Sequence, residues 1–170
     1  ALDIDVEART AWAQTGLTAG EYTKATHAHG LATGFGDTAS VGIGGITLAG
    51  GVGYLVRKHG LTIDNLLEVE LVTAEGEIVR ASVDEEPELF WGIRGAGANF
   101  GVVTEFVFRA HPVGPLVAAG PRLYPLEEAV DVLARLRAAQ DDLHPELGLS
   151  AVLLTVPPAP TFPPELHGRK

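Results

Sequence analysis

The residues of this sequence best placed to do chemistry are glycines. Residues 41–60 read VGIGGITLAGGVGYLVRKHG and hold Gly42, Gly44, Gly45, Gly50, Gly51, Gly53 and Gly60. A loop between ordinary elements needs one or two glycines for positive φ, so seven in twenty positions mean that backbone passes very close to something. A second run, RGAGANFG, occupies residues 94–101. Two glycine-rich surfaces with apolar strand-forming sequence between them would grip a planar or anionic ligand largely through main-chain N–H groups. The reading that needs no ligand is a set of glycine-rich turns inside a packed domain.

Nucleotide fingerprints fit poorly. A dinucleotide motif needs G-x-G-x-x-G between a strand and a helix, with an acid about twenty residues on. Gly42 and Gly44 fit the first two positions, but Thr47 holds the third, and Asp64 precedes the next apolar strand rather than ending it. Starting at Gly51 and Gly53 puts Val56 in that place, and no G-x-x-x-x-G-K-[ST] occurs, so a P-loop is excluded. No metal site is expected either. His27 and His29 are one residue apart and cannot share a helix face, and no carboxylate or thiol accompanies them. His59, His111, His144 and His167 are scattered and read as structural or solvent-facing. With no cysteine, disulfides and thiolate metal sites are ruled out.

The net charge is −10, and residues 1–114 carry 7 basic and 15 acidic side chains. Nucleic acid and anionic membrane, which both demand a basic face, are therefore not expected as partners. No apolar run approaches a membrane span. The cellular compartment stays open, with the cytoplasm favoured. A chain of 170 residues, 46% of them hydrophobic, has the length and content of one domain.

The elements that would position the glycine runs follow from local pattern. Residues 9–15 alternate as a strand. Thr18 and Glu21 form a capping box, starting a helix to about residue 29 that Gly30 closes. Residues 31–38 read as loop. Residues 54–59 form a helical turn, with Arg57 and Lys58 near its C-terminus where positive charge suits the macrodipole. Residues 66–73 and 77–83 make a hairpin around Gly76. Pro87 suits a first helical turn, and residues 88–94 form a short helix presenting Leu89, Phe90 and Trp91 to the core. A strand over 100–109 carries Val103, Phe106 and Phe108. Pro112 and Pro115 mark a boundary. Beyond it are expected a strand to about residue 124, a helix over 126–141 and a strand over 147–156, before PPAPTFPP breaks regular structure. Leu126, Val130, Leu133 and Leu136 give that helix one apolar stripe.

Taken together, residues 40–79 (SVGIGGITLAGGVGYLVRKHGLTIDNLLEVELVTAEGEIV) and 87–113 (PELFWGIRGAGANFGVVTEFVFRAHPV) closely resemble the FAD-linked oxidoreductases of the berberine-bridge-enzyme-like family. Their flavin domain is of the type shared with vanillyl-alcohol oxidase. The resemblance is strongest over 34–113 and rests on GxGG, GGxGxLxRKxGL, DN, LFWxxRG and NFGVVTxF as a set. It implies an α+β chain: the second part of a vanillyl-alcohol-oxidase/PCMH-type FAD-binding domain over 1–113, then the start of an α+β substrate domain over 114–170. In that family a substantial N-terminal subdomain precedes this text, and the sequence holds no Met at all. The chain therefore reads as a fragment truncated at both ends, inactive by itself.

The resemblance also implies FAD as cofactor, a small-molecule substrate, and hydride transfer from a substrate C–H beside a hydroxyl or amine to flavin N5, with molecular oxygen as acceptor. Ser40, Val41, Gly42, Gly44 and Gly45 would lie near the ring and pyrophosphate. Gly51, Gly53, Gly101, Val102 and Val103 would lie elsewhere along FAD. None donates chemistry by its side chain, and the catalytic base is expected outside the chain. Some members attach flavin through a cysteine three residues before the valine matching Val41. Thr38 stands there, so FAD would be non-covalent, or singly covalent through a residue outside the chain. Asp64 and Asn65 match the family's DN and read as a turn or strand-entry device. Two alternatives stay open: a cofactor-free binding or scaffold domain of the same fold, and a nucleotide-linked reductase.

Overall fold

Apolar residues at every second position make strands whose one face must be covered. The computed structural model describes residues 1–114 and 116–169 and divides them into two compact units, Ala1–Val117 and Ala118–Lys170. In the first, β1 (Leu2–Asp5), β2 (Thr10–Gln14), β4 (Leu66–Val72), β5 (Ile78–Ser82) and β6 (Val102–Arg109) form one antiparallel sheet in the order β1-β2-β6-β4-β5. Two-residue strands β3 (Leu31–Ala32) and β7 (His111–Pro112) pair separately. The helices of this unit are α1 (Ala19–His27), α2 (Ile43–Leu48), α3 (Val56–His59) and α4 (Pro87–Ala96).

The covered face of the sheet carries Ala11, Ala13, Val69, Leu71, Val103, Phe106 and Phe108, packed with Tyr22, Phe35, Ile43, Phe90 and Ile93. Each large side chain fully removed from water contributes about 1.5–3 kcal/mol. Tyr22 meets Phe35 and Phe108 edge-on, at 4.7 and 5.7 Å between ring centroids. Its hydroxyl shares a 2.9 Å hydrogen bond with Thr33 Oγ1, which donates at 2.9 Å to the carbonyl of Arg109. Burial pushes the Tyr22 phenol up to about 12.

The opposite face sets Glu70 directly across from Glu105, a like-charge pairing that by itself opposes sheet formation. Neighbours offset it. Trp12 Nε1 donates to Glu105 Oε2 and Thr104 Oγ1 to Glu70 Oε1, both at 2.9 Å. Arg80 lies 3.4 Å from both Glu68 and Glu70.

Most expected elements form. The capping box at Thr18 is complete, with Glu21 N–H donating to Thr18 Oγ1 and Thr18 N–H to Glu21 Oε2. The hairpin turns at Gly76, where φ is +84°. Four expectations fail. Trp91 is 73% exposed rather than in the core, because Phe90 and Ile93, three residues apart, take the face of α4 that meets the sheet and Trp91 is rotated about 100° from Phe90. The segment expected to be wholly loop begins as β3. Residues 116–124 and 147–156 form no strand. A strand is stable only beside a partner that takes its N–H and C=O groups. Among the described residues only Val156 finds one, donating to Arg169 at 2.8 Å and accepting from Gly168 at 2.9 Å, which is too short a contact to make a ladder. Pro115 lies outside the described residues. The second unit's regular structure is the helix α5 (Ala129–Ala139), flanked by 3-10 turns, and a short 3-10 turn at Pro164–Leu166.

Candidate functional site

Where β2 ends, the chain is strapped to the first glycine run. Ala19 and Gly20 donate to the carbonyls of Val41 and Ala39, both at 2.8 Å, and Ile43 donates to that of Leu17 at 2.9 Å. This lays the 38–43 segment along the entry to α1 and points it into α2. Gly42 is the N-cap of α2, at φ −70° and ψ 134°, with no side-chain cap. Ile43 and Thr47 are buried, while Ser40, Val41, Gly42 and Gly45 are exposed. A first helical turn leaves its early amides without intrahelical acceptors, so Gly44 and Gly45 present N–H groups at this end of α2.

The reason for each glycine separates the sequence-predicted site into two groups. A Cβ on Gly53 would stand 2.8 Å from the backbone nitrogen of Gly36. Gly51, at φ +80°, would drive one into the side chain of Thr62, and Gly101, at φ +147°, into the carbonyl of Val72. The protein's own atoms explain these three. Gly44 lies in ordinary contact with Thr15, 3.4 Å from its Cβ. Gly42 and Gly45 are different: apart from the adjoining residues and the helix's own backbone, no heavy atom of the described residues lies within 4 Å of the Cβ position at either, and neither has positive φ. Glycine inside a helix costs about 1 kcal/mol relative to alanine, yet nothing inside the fold asks for it at Gly45. The FAD implied by the resemblance would supply such a demand, since a planar, anionic group lying on α2 would occupy that open space and accept from its first-turn amides.

The structure brings residues 38–45 and the 50–53 loop together around α2, and a Cβ on Gly97 would meet Leu48 of α2 at 2.9 Å from its Cβ, which sets the second run beside the first. Gly101 and the exposed Val102 follow at the start of β6, but the side chain of Val103 is buried in the core and has no surface to offer a ligand. Past the kink at Arg94 and Gly95, a cavity of about 450 Å³ is lined by Trp91, Arg94, Gly95 and Phe100 among others.

Two features were not legible as sites. Thr62 is buried between the loops. His59 and His111, read as scattered, stack at 3.8 Å between ring centroids with planes 13° apart. Asn65 Nδ2 donates to the carbonyls of His59 and Leu61 at 3.0 and 2.9 Å, so its Oδ1 accepts from His111 Nε2, at 2.6 Å. This is the turn device expected of Asp64 and Asn65: Asp64 Oδ2 accepts from Leu61 N–H at 2.8 Å. Among the described residues no group of three His, Asp or Glu side chains is placed to hold a metal.

Burial, aided by the charges of His59, Arg109 and Lys58, holds the His111 imidazole below its ordinary 6.5. A base with a depressed folded value is protonated more readily in the unfolded chain. Its stabilisation is therefore complete above the ordinary value and is lost as pH falls through the folded one. The melting temperature of the intact protein is expected to fall from neutral pH to about pH 5, and to fall less steeply in His111→Gln. Parallel slopes in the two proteins would acquit His111.

Known proteins share this sequence and fold. The family model for an FAD binding domain matches residues 1–82. An FAD-linked oxidoreductase of Aspergillus terreus is 51% identical over 115 residues, covering 68% of this chain and 23% of the relative. The crystal structure of 6-hydroxy-D-nicotine oxidase from Arthrobacter nicotinovorans superposes with a TM-score of 0.77 at 38% identity, covering 84% of this chain and 32% of that one. Glucooligosaccharide oxidase from Acremonium strictum, with 6-S-cysteinyl, 8α-N1-histidyl FAD, gives a TM-score of 0.62 at 35% identity over 65% of this chain and 23% of its own. The chain thus spans about a quarter to a third of the length of these relatives.

Proposed function

From the premise that this chain belongs to the FAD-linked oxidoreductases of the berberine-bridge-enzyme-like family, with an α+β fold of the vanillyl-alcohol-oxidase/PCMH type, we propose that it forms one wall of the flavin site of an oxidase. The observation that carries this reading is the open space beside Gly42 and Gly45. Ser40, Val41 and Gly42 form the approach to α2, and the amides of Gly44 and Gly45 donate to the cofactor's anionic or carbonyl oxygens. Gly51, Gly53 and Gly101 shape the neighbouring loops by letting backbone pack on the chain's own atoms, and the exposed Val102 gives an apolar contact at the start of β6. Val103 contributes through its backbone alone.

Bound FAD supplies the hydride acceptor, and the chain's task is to bind and orient it. The substrate is a small molecule with a C–H beside a hydroxyl or amine, and oxygen takes the electrons. The base and the substrate-selecting groups come from outside these residues. Residues 114–170 begin the substrate domain. Thr38, whose hydroxyl donates to Asp37 Oδ1 at 2.9 Å, offers no thiolate, and the chain has no cysteine. Any covalent link is made by a residue outside this chain.

The test is the visible spectrum of the intact gene product before and after acid precipitation. Flavin absorbance in the native protein is expected; a colourless, flavin-free protein would overturn the reading. Absorbance that stays with the precipitate reports a covalent link, and peptide mapping is then expected to place it outside residues 1–170.

A further inference from the structure

Thr62 lies just beyond the first glycine run, 1% exposed, at the start of the 3-10 turn Thr62–Asn65. Its hydroxyl donates to the carbonyl of Gly34 at 2.6 Å. Its backbone N–H donates to the carbonyl of Gly51 at 2.9 Å, and the next amide, of Ile63, donates to Gly50 at 3.0 Å. One residue thus ties together two loops that flank α2 in sequence, 34–42 before it and 49–55 after it.

The loops also touch each other and the helix. The backbone nitrogen of Gly36 lies 2.8 Å from the Cβ position of Gly53, and Ile46 Cδ1 of α2 lies 2.9 Å from that of Gly36. A shift of the first loop would therefore move the second loop or α2. Threonine suits the task because its β-branch restricts χ1, so the hydroxyl is held in one direction.

We infer that Thr62 is a positioning residue of the flavin wall. By fixing Gly34 against Gly51 it sets the 36–42 loop that leads into α2, and with it the direction in which Gly44 and Gly45 present their amides. The inference rests on the flavin reading above. Thr62 does not touch the proposed ligand surface. It acts through backbone carbonyls on the side of the loops turned away from solvent.

The test compares Thr62→Val and Thr62→Ser with wild type in the intact gene product. Apoprotein is titrated with FAD by the quenching of flavin fluorescence, alongside the visible circular dichroism of the bound flavin and the melting temperature of the apoprotein. Valine keeps the shape and removes the hydroxyl; serine keeps the hydroxyl. FAD affinity is expected to fall about tenfold in Thr62→Val, with an altered flavin dichroism, and to stay within about twofold in Thr62→Ser. A Thr62→Val protein that melts lower yet binds FAD like wild type makes Thr62 merely structural and overturns the inference. Equal losses in Val and Ser overturn it too. Should Thr62→Val not fold, Thr62→Ser and Thr62→Ala, which differ by one oxygen, carry the same expected split, and its absence has the same meaning. A wild-type apoprotein that takes up no FAD instead overturns the flavin reading itself, and this inference with it.

Discussion

Replacing Gly42 or Gly45 by valine is expected to weaken FAD binding by the intact protein about ten- to a hundredfold, the equivalent of the 1–3 kcal/mol that overpacking costs a tight site. The same substitutions should leave the apoprotein within about 1 kcal/mol of wild type, the larger cost falling on Gly42→Val because valine is the poorer N-cap residue. Gly42 sits at φ −70°, ψ 134°, an extended conformation open to any residue. Gly45 lies in the six-residue helix α2, where valine is no worse a helix former than glycine. Beyond the adjoining residues and the helix's own backbone, no atom of the described residues lies within 4 Å of either Cβ position, so the first carbon of the added side chain meets no other part of the fold. It meets what lies on the surface of α2. Flavin content per protein and the melting temperature of apoprotein separate the two effects. Gly42→Val protein that purifies with a full flavin complement would show that α2 does not face the cofactor.

Gly101→Ala is expected to do the reverse and unfold the domain whether or not flavin is present. Gly101 has φ +147° and packs its α-carbon against β4, where a Cβ would run into the carbonyl of Val72 and lie 3.1 Å from its carbon. Backbone strain in that region costs about 1–3 kcal/mol, and forcing β4 and β6 apart adds about 1–3 kcal/mol more. The sum is a large part of the 5–15 kcal/mol that holds a typical domain together. Urea unfolding of the intact protein, or its yield of soluble material, checks this. A midpoint equal to wild type would mean that β6 can shift away from Val72, and that the reason given for this glycine is wrong. Paired with Gly42→Val, the experiment sorts glycines that serve the fold from glycines that serve a ligand.

The sequence by itself determined the elements whose signals are local. The Thr18–Glu21 box, the turn at Gly76, the first-turn proline of α4 and the alternation along β4 and β6 each act within a few residues. The family was legible too, because GxGG, DN and NFGVVTxF are contiguous text. That the backbone must come close to something at the glycine runs was also readable, since glycine is needed there whichever partner is approached.

Which partner each glycine approaches was decided by tertiary structure alone. Gly51, Gly53 and Gly101 look no different in sequence from Gly42 and Gly45, but the first three are filled by Thr62, Gly36 and Val72. Those partners lie 11, 17 and 29 residues away along the numbering. The same long reach stacked His59 on His111 and made Thr62 a pin between loops. Side-chain direction was likewise undecided: Trp91 and Phe90 are neighbours, and only the docking of α4 on the sheet buried one and exposed the other. The strands expected at 116–124 and 147–156 failed for the same reason, since apolar alternation prepares a strand but a ladder needs a second chain segment to accept its hydrogen bonds. Propensity is a property of neighbours in sequence, whereas close approach, burial and pairing depend on residues that the fold brings in from far away.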